Sequence, residues 1–283
     1  MTGLRDLAEL VRAPAALTVP GDVLTGAAAA GFPMGRRWLG AAAGSVCLYW
    51  AGMALNDYAD RELDRRERPD RPIPSGRVAP GLALGLATGL TAAGITSAGL
   101  AGGRTALGVV VPLAATVWLY DLALKNTAAG PAGMAAARAL NVLMGAGPRA
   151  EAALPALAIG GHTLIVTTLS LGEVYGIRRA VPLSALVGTA AVAVAAVARA
   201  RPPGAWPAAG CAVVYAAAVA GPQSAAVQQP TPGRVRAAVG AGIIGLIPLQ
   251  ATLAARSGAV RTGLVLAAAF PAARWLARRV PAT

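Results

Sequence analysis

The segment Asn56-Asp57-Tyr58-Ala59-Asp60-Arg61-Glu62-Leu63-Asp64 concentrates the groups in this chain that could do chemistry. Asp57, Asp60 and Asp64 are spaced by three and then four. On a continuous helix that spacing sets three carboxylates on one face over two turns. Like charges so placed repel unless a cation lies among them. Oxygen-only donors suit a hard ion such as Mg2+, which often binds through one or two carboxylates plus substrate phosphates. Asn56 adds a neutral oxygen. Prolines at 69, 72 and 74 end any helix by about Arg68, and Ser75-Gly76 reads as a turn. Arg68 and Arg71 fall on this loop, and guanidinium forks match phosphate oxygens. The pattern fits a diphosphate site. On spacing alone a second reading stays open: residues 57–71 could be a solvated, salt-bridged loop that binds nothing.

Location favours the functional reading. Half of the chain's 12 acidic residues lie in this stretch, and it starts where an apolar block ends. Charge at such a boundary is costly without a role. The chain has 283 residues, 56% of them apolar and only 13% charged, with mean hydropathy +0.58. The apolar residues fall in blocks long enough for a helix to cross roughly 30 Å of hydrocarbon. Backbone groups in lipid must be satisfied internally, so the blocks should be helices. Expected spans are 13–32, 38–55, 80–101, 105–120, 131–147, 154–171, 181–198, 205–221, 237–255 and 260–273. The last is short and contains Pro271, so nine or ten are expected. The fold class is therefore all-α: a polytopic transmembrane bundle forming one domain over residues 1–283.

A net charge of +13 would suggest nucleic acid in a soluble protein. Here the positive residues flank apolar spans, so membrane topology explains them better and no nucleic-acid partner is expected. With alternating spans and a cytoplasmic amino terminus, most of the 25 basic residues fall on the cytoplasmic side, with the acidic motif. The protein is expected to be a multi-pass protein of the cell membrane. Asp22, Pro20, Asp6 and Glu9 argue against a cleaved signal in the first span. Cys47 and Cys211 lie in different spans and offer neither metal spacing nor a disulfide framework. His162 is the sole histidine, which excludes histidine dyads and multi-histidine metal sites.

Asn56-Asp57-x-x-Asp60-x-x-x-Asp64, followed by Arg71-Pro72-Ile73-Pro74-Ser75-Gly76, resembles the first signature of the UbiA superfamily of intramembrane prenyltransferases. Chain length, span number and the motif's place after the second span agree. The resemblance implies an all-helical bundle, typically of nine spans, with a central cavity facing the cytoplasm. It implies Mg2+-dependent transfer of a prenyl group from an isoprenoid diphosphate to a small acceptor, aromatic or a secondary-metabolite precursor. Asp57, Asp60 and Asp64 would hold Mg2+, and Asn56 and Arg71 would position diphosphate. Members often place a Tyr and a Lys after the fourth span, here Tyr120 and Lys125. Arg138 and Asn141 lie one turn apart in the fifth span and should face the interior. They could equally serve helix–helix hydrogen bonding.

The family's second signature, an aspartate-rich motif after the sixth span, is incomplete. The place reads Ser170-Leu171-Gly172-Glu173-Val174-Tyr175-Gly176-Ile177-Arg178-Arg179, and no Asp follows Asp121. Arg178 and Arg179 could contact phosphate directly. The pattern is similar to the EboC-like branch, a membrane component of ebo-type clusters. The candidate catalytic set is Asp57, Asp60, Lys125 and Glu173. Candidate substrate contacts are Asn56, Arg68, Arg71, Tyr120, Asn141, Arg178 and Arg179. Membrane lipid is the remaining partner. The alternative function is a transporter or carrier-lipid-binding component on the same fold. Asp22, alone inside the first span, is a further functional candidate; its plainer reading is a pair with Arg138 or a place on a solvated cavity wall.

Overall fold

The computed structural model describes residues 2–12, 18–32, 35–147, 149–200 and 202–279. Its helices are α1 (Leu4–Leu10), α2 (Val19–Ala29), α3 (Arg36–Ala59), α4 (Arg61–Glu67), α5 (Pro80–Leu119), α6 (Gly130–Ala146), α7 (Ala153–Ser170), α8 (Ala180–Val197), α9 (Ala205–Gln228), α10 (Pro232–Arg256) and α11 (Val260–Arg279). A π-turn, Tyr120–Leu124, extends α5, and a short 3-10 turn, Ala150–Ala152, precedes α7. No strand occurs among the described residues. Among the described residues six helical runs are long and apolar enough to cross a membrane. Large apolar side chains such as Leu100, Val187, Val194, Val213 and Val265 point outward and are exposed. That inversion is expected where lipid, not water, surrounds the bundle. The chain is a multi-pass membrane protein.

Each expected span corresponds to a helix or to one leg of α5, though residues 13–17 lie outside the described ones. A 40-residue helix would run about 60 Å, twice the hydrocarbon thickness. Gly103 breaks it with φ 63, ψ −154. Beyond the break the chain doubles back: Leu107 packs near Gly99, and Ala106 near Gly102. Helix α3 lies against both legs. A Cβ on Gly44 would come within 2.8 Å of the Gly94 carbonyl on the first leg, and one on Gly52 within 3.1 Å of Val117 on the second. Small residues thus provide the close approach that helix association in lipid requires. Helices α9 and α10 run longer than expected, to Gln228 and from Pro232, because only three residues turn the chain between them.

The loops sort to two ends. At one end Thr2 Oγ1 donates to the Arg77 carbonyl, and the Ile177 amide donates to the Pro230 carbonyl. At the other, Arg256 Nε donates to the Ala198 carbonyl, and Arg37 reaches Gly147. The acidic motif lies at the first, or acidic, end.

Candidate active site

The acidic motif is not one continuous helix. The chain bends at Asp60, which has φ −88, ψ 2 and ends α3 as α4 begins. The single carboxylate face expected from spacing is therefore replaced by a split arrangement. Asp57 and Asp64 are buried and converge on Arg71, whose Nη1 lies 3.2 Å from Asp57 Oδ1 and 2.8 Å from Asp64 Oδ2. Asp60 turns instead to Lys125, with Nζ 2.7 Å from Oδ1. The proline-bounded loop folds back as expected: Ser75 Oγ donates to the Arg71 carbonyl, and the Val78 amide donates to the Pro72 carbonyl. Ile73 and Val78 pack with Leu10, Ala54 and Leu55, which pins the loop and α1 over the end of α3.

Two residues join the site that the spacing argument did not select. Arg12, just past α1, places Nη2 3.1 Å from Asp57 Oδ1. Asp121 is buried and accepts from Asn56 Nδ2 at 3.1 Å. Its signal was present in the sequence: four positions before Lys125, it shares that residue's helical face. The π-turn at Tyr120–Leu124 sets this pair, closing with Lys125 N donating to the Tyr120 carbonyl at 2.9 Å. Such single-turn π segments recur at functional sites. Gly133 leaves room for Tyr120, whose ring would lie 3.2 Å from a Cβ there. Lys125 Nζ also lies 3.4 Å from the Asn56 carbonyl. Asn56, Asp57, Asp60, Asp64, Arg71, Tyr120 and Lys125 thus gather at the acidic end.

Other candidates are less enclosed. Arg68 is exposed at the end of α4. Arg178 and Arg179 are exposed, as is Tyr175, and Glu173 is half-buried. Burial raises the Glu173 carboxyl above its usual range, and Arg236 opposes that shift. Tyr58 lies under the Arg61 guanidinium, and Trp118 Nε1 donates to Thr91.

Asn141 belongs to a second polar cluster. Asp22 is fully buried. Arg138 pairs with it, Nε at 3.0 Å and Nη2 at 3.1 Å. Asn141 Nδ2 donates to Asp22 Oδ2 at 3.0 Å and Gln250 Nε2 to Oδ1 at 2.7 Å. Ser45 Oγ donates to Asn141 Oδ1 at 2.7 Å. This cluster ties α2, α3, α6 and α10, and the Asp22–Arg138 pair is the one the plainer reading expected. The backbones nearly touch beside it: a Cβ on Gly26 would run into the Val142 carbonyl, and one on Gly145 into the Val23 carbonyl. Tyr49 lies on α3 within the electrostatic reach of both Arg12 and Arg138, between the two clusters. His162 is buried, bonded to Tyr215 and to the Gly242 carbonyl. Both cysteines are free.

Among the described residues no three acidic, histidine or cysteine groups stand close enough to cradle a metal as they are. The donor chemistry nonetheless fits Mg2+. Two buried carboxylates already share one cationic nitrogen, and all the donors are oxygens.

The sequence profile of the UbiA prenyltransferase family matches residues 17–239. The chain is 37% identical over 128 residues to the digeranylgeranylglyceryl phosphate synthase of Ignicoccus hospitalis, covering 44% of this chain and 40% of that protein. It is 43% identical over 76 residues to the synthase of Methanopyrus kandleri, covering 27% and 28%. These matches span well under half of each relative. Among solved structures, one of a digeranylgeranylglyceryl phosphate synthase superposes with TM-score 0.66 at 17% identity, over 92% of this chain and all of that one. A UbiA homologue from Aeropyrum pernix superposes with TM-score 0.62 at 22% identity, over 84% and 96%. The fold is shared with both, and by the extent of the profile match the chain belongs to the UbiA prenyltransferase family.

Proposed function

We propose that the protein transfers a prenyl group from an isoprenoid diphosphate to a small acceptor within the membrane, at the acidic end of the bundle. The observation that supports this most is the meeting of Lys125 with Asp60 beside Arg71, Arg12 and Asp57. Cations and carboxylates converge where a diphosphate would need both. In this reading the allylic C–O bond breaks and its electron pair leaves on the diphosphate. The acceptor supplies the pair for the new bond and releases a proton. Mg2+ held by Asp57, Asp60 and Asp64 would supply neutralising charge to the departing diphosphate. Arg71, Arg12 and Lys125 exchange carboxylate partners for phosphate oxygens, which positions the leaving group and offsets its charge. Asn56 holds Asp121 in register with Lys125. The apolar helices around the site keep water from the developing cation. The acidic end faces the cytoplasm, following the distribution of basic residues.

The relatives' names point to a prenylated glyceryl phosphate as one acceptor class; small aromatic and secondary-metabolite acceptors are the other. Purified protein would be incubated with labelled diphosphates from geranyl to undecaprenyl and acceptors of both classes, with Mg2+ or with chelator. Chelator-sensitive product supports the proposal. No consumption of any diphosphate sinks it.

Glu173 favours a second reading. It is the only carboxylate in residues 171–179, and its electrostatic partner is Arg236. A carrier-lipid-binding or transport component built on the same fold would bind a prenyl phosphate without turnover. Binding without product, unaffected by Asp57→Asn, would favour it.

A further inference from the structure

Helix α2 has 11 residues and covers only about half of the hydrocarbon thickness. At the end opposite the acidic motif, a cavity of about 390 Å3 lies over its C-terminus. Leu24, Ala27, Ala28, Phe32 and Trp38 form its apolar wall, and Ser257 and Thr262 its polar edge. The volume lies in the range of small-molecule sites, about 300–1,000 Å3. Phe32 is both wall and platform. The Arg37 guanidinium carbon lies 4.4 Å from its ring centre, and that of Arg149 lies 4.6 Å away. Ring faces attract cations through their negative quadrupole. They do not neutralise them.

Among the described residues neither arginine pairs with a carboxylate, and Glu151 is the only acid at this end of the bundle. Two like charges held on one ring, itself part of the wall of an apolar hollow, call for an anion with an apolar tail. We propose that this is a binding site for an anionic membrane lipid. Its phosphate lies between Arg37 and Arg149, and a hydrocarbon chain enters the cavity between α2 and the α10–α11 turn. The site is separate from the proposed transfer site, which is at the other end.

Native mass spectrometry of the full protein would test this, with phosphatidylglycerol and phosphatidylcholine of matched chains, and inorganic phosphate as competitor. The parent protein should retain phosphatidylglycerol roughly tenfold over phosphatidylcholine, the preference two nearby arginines can give. Arg37→Gln with Arg149→Gln should bring that ratio near one. Thr262→Trp leaves both charges and fills the cavity, and should lower retention of both lipids; it serves if the double variant does not fold. Equal retention by the parent overturns the proposal, as does an unchanged preference in the variants. Competition by inorganic phosphate at concentrations comparable to the lipid would show a free-anion site instead and equally overturn it.

Discussion

Lys125, just past the π-turn that ends the second leg of α5, places Nζ 2.7 Å from Asp60 Oδ1 at the bend between α3 and α4. Both side chains are mostly shielded, so the pair is screened less than a surface pair. It joins the two loops from which a diphosphate would be held. Asp60→Asn and Lys125→Gln should each lower turnover of the labelled prenyl diphosphate by about 10²–10³-fold, the loss seen when one preorganised electrostatic contact is removed. Steady-state assays under Mg2+ check this. A change under threefold in either variant would remove the pair from the transfer site.

Arg12 reaches Asp57 from outside the acidic motif. Its removal should weaken diphosphate binding more than it slows chemistry. Arg12→Gln is expected to raise KM for the prenyl diphosphate about tenfold, as loss of one charge-assisted hydrogen bond implies. An unaltered KM would show Arg12 to be only a partner for Asp57.

Asp22→Ala strands Arg138 in the interior. Breaking a buried pair costs about 3–5 kcal/mol, and the slight exposure of Arg138 places this case at the low end. The unfolding midpoint in detergent should fall by several degrees. Asp22→Leu combined with Arg138→Leu should recover much of the loss, because no uncompensated charge remains. A double variant as unstable as the single one would contradict this account.

Gly145→Val tests the backbone approach of α2 to α6. The added carbons meet the Val23 carbonyl, and overpacking of this kind costs about 1–3 kcal/mol. Thermal unfolding should detect it. The same change at Gly81, where a Cβ meets nothing within 4 Å, is the control.

Arg77 clamps α1 through Asp6 and Glu9, with Nη1 at 2.9 and 2.8 Å. The Gly3 amide, then Arg77, holds the Asp6 carboxyl below its ordinary 3.8. Arg77 holds the Glu9 carboxyl below 4.5. Both folded values are depressed, so the clamp is fully present above those ordinary values and is lost as pH falls through the lower folded ones. Hydrogen-exchange protection over residues 4–12, taken relative to the intrinsic rate at each pH, should be high at pH 6 and lower near pH 3. Equal protection at the two pH values would show that packing of Leu10 alone holds α1.

The order of helices was legible because lipid imposes one length and one hydrogen-bonding pattern on each crossing. Blocks of Ala, Leu and Val therefore located α3 and α5 through α10 within a few residues, except where α9 and α10 lengthen. The carboxylates were legible as a group, but their arrangement was not. Three-and-four spacing assumes an unbroken helix, and nothing in Tyr58-Ala59-Asp60-Arg61 announces the bend at Asp60. Arg12 escaped notice because an arginine beside a span reads first as a topology charge. Asn141 was singled out as an interior polar residue, but only tertiary packing shows that its neighbours are Asp22 and Ser45.

The reversal at Gly103 has a consequence for how the protein is made. The two legs of α5 are joined with almost no connecting loop, and Arg104 is the only charged residue in the sequence from 80 to 119. Neither leg can settle in the bilayer while the other waits outside, so residues 80–119 should enter as a single hairpin. Lengthening that turn with a polar insert would let the legs enter one at a time. Asp121 and Lys125 would then depend on the second leg finding its own way to α3.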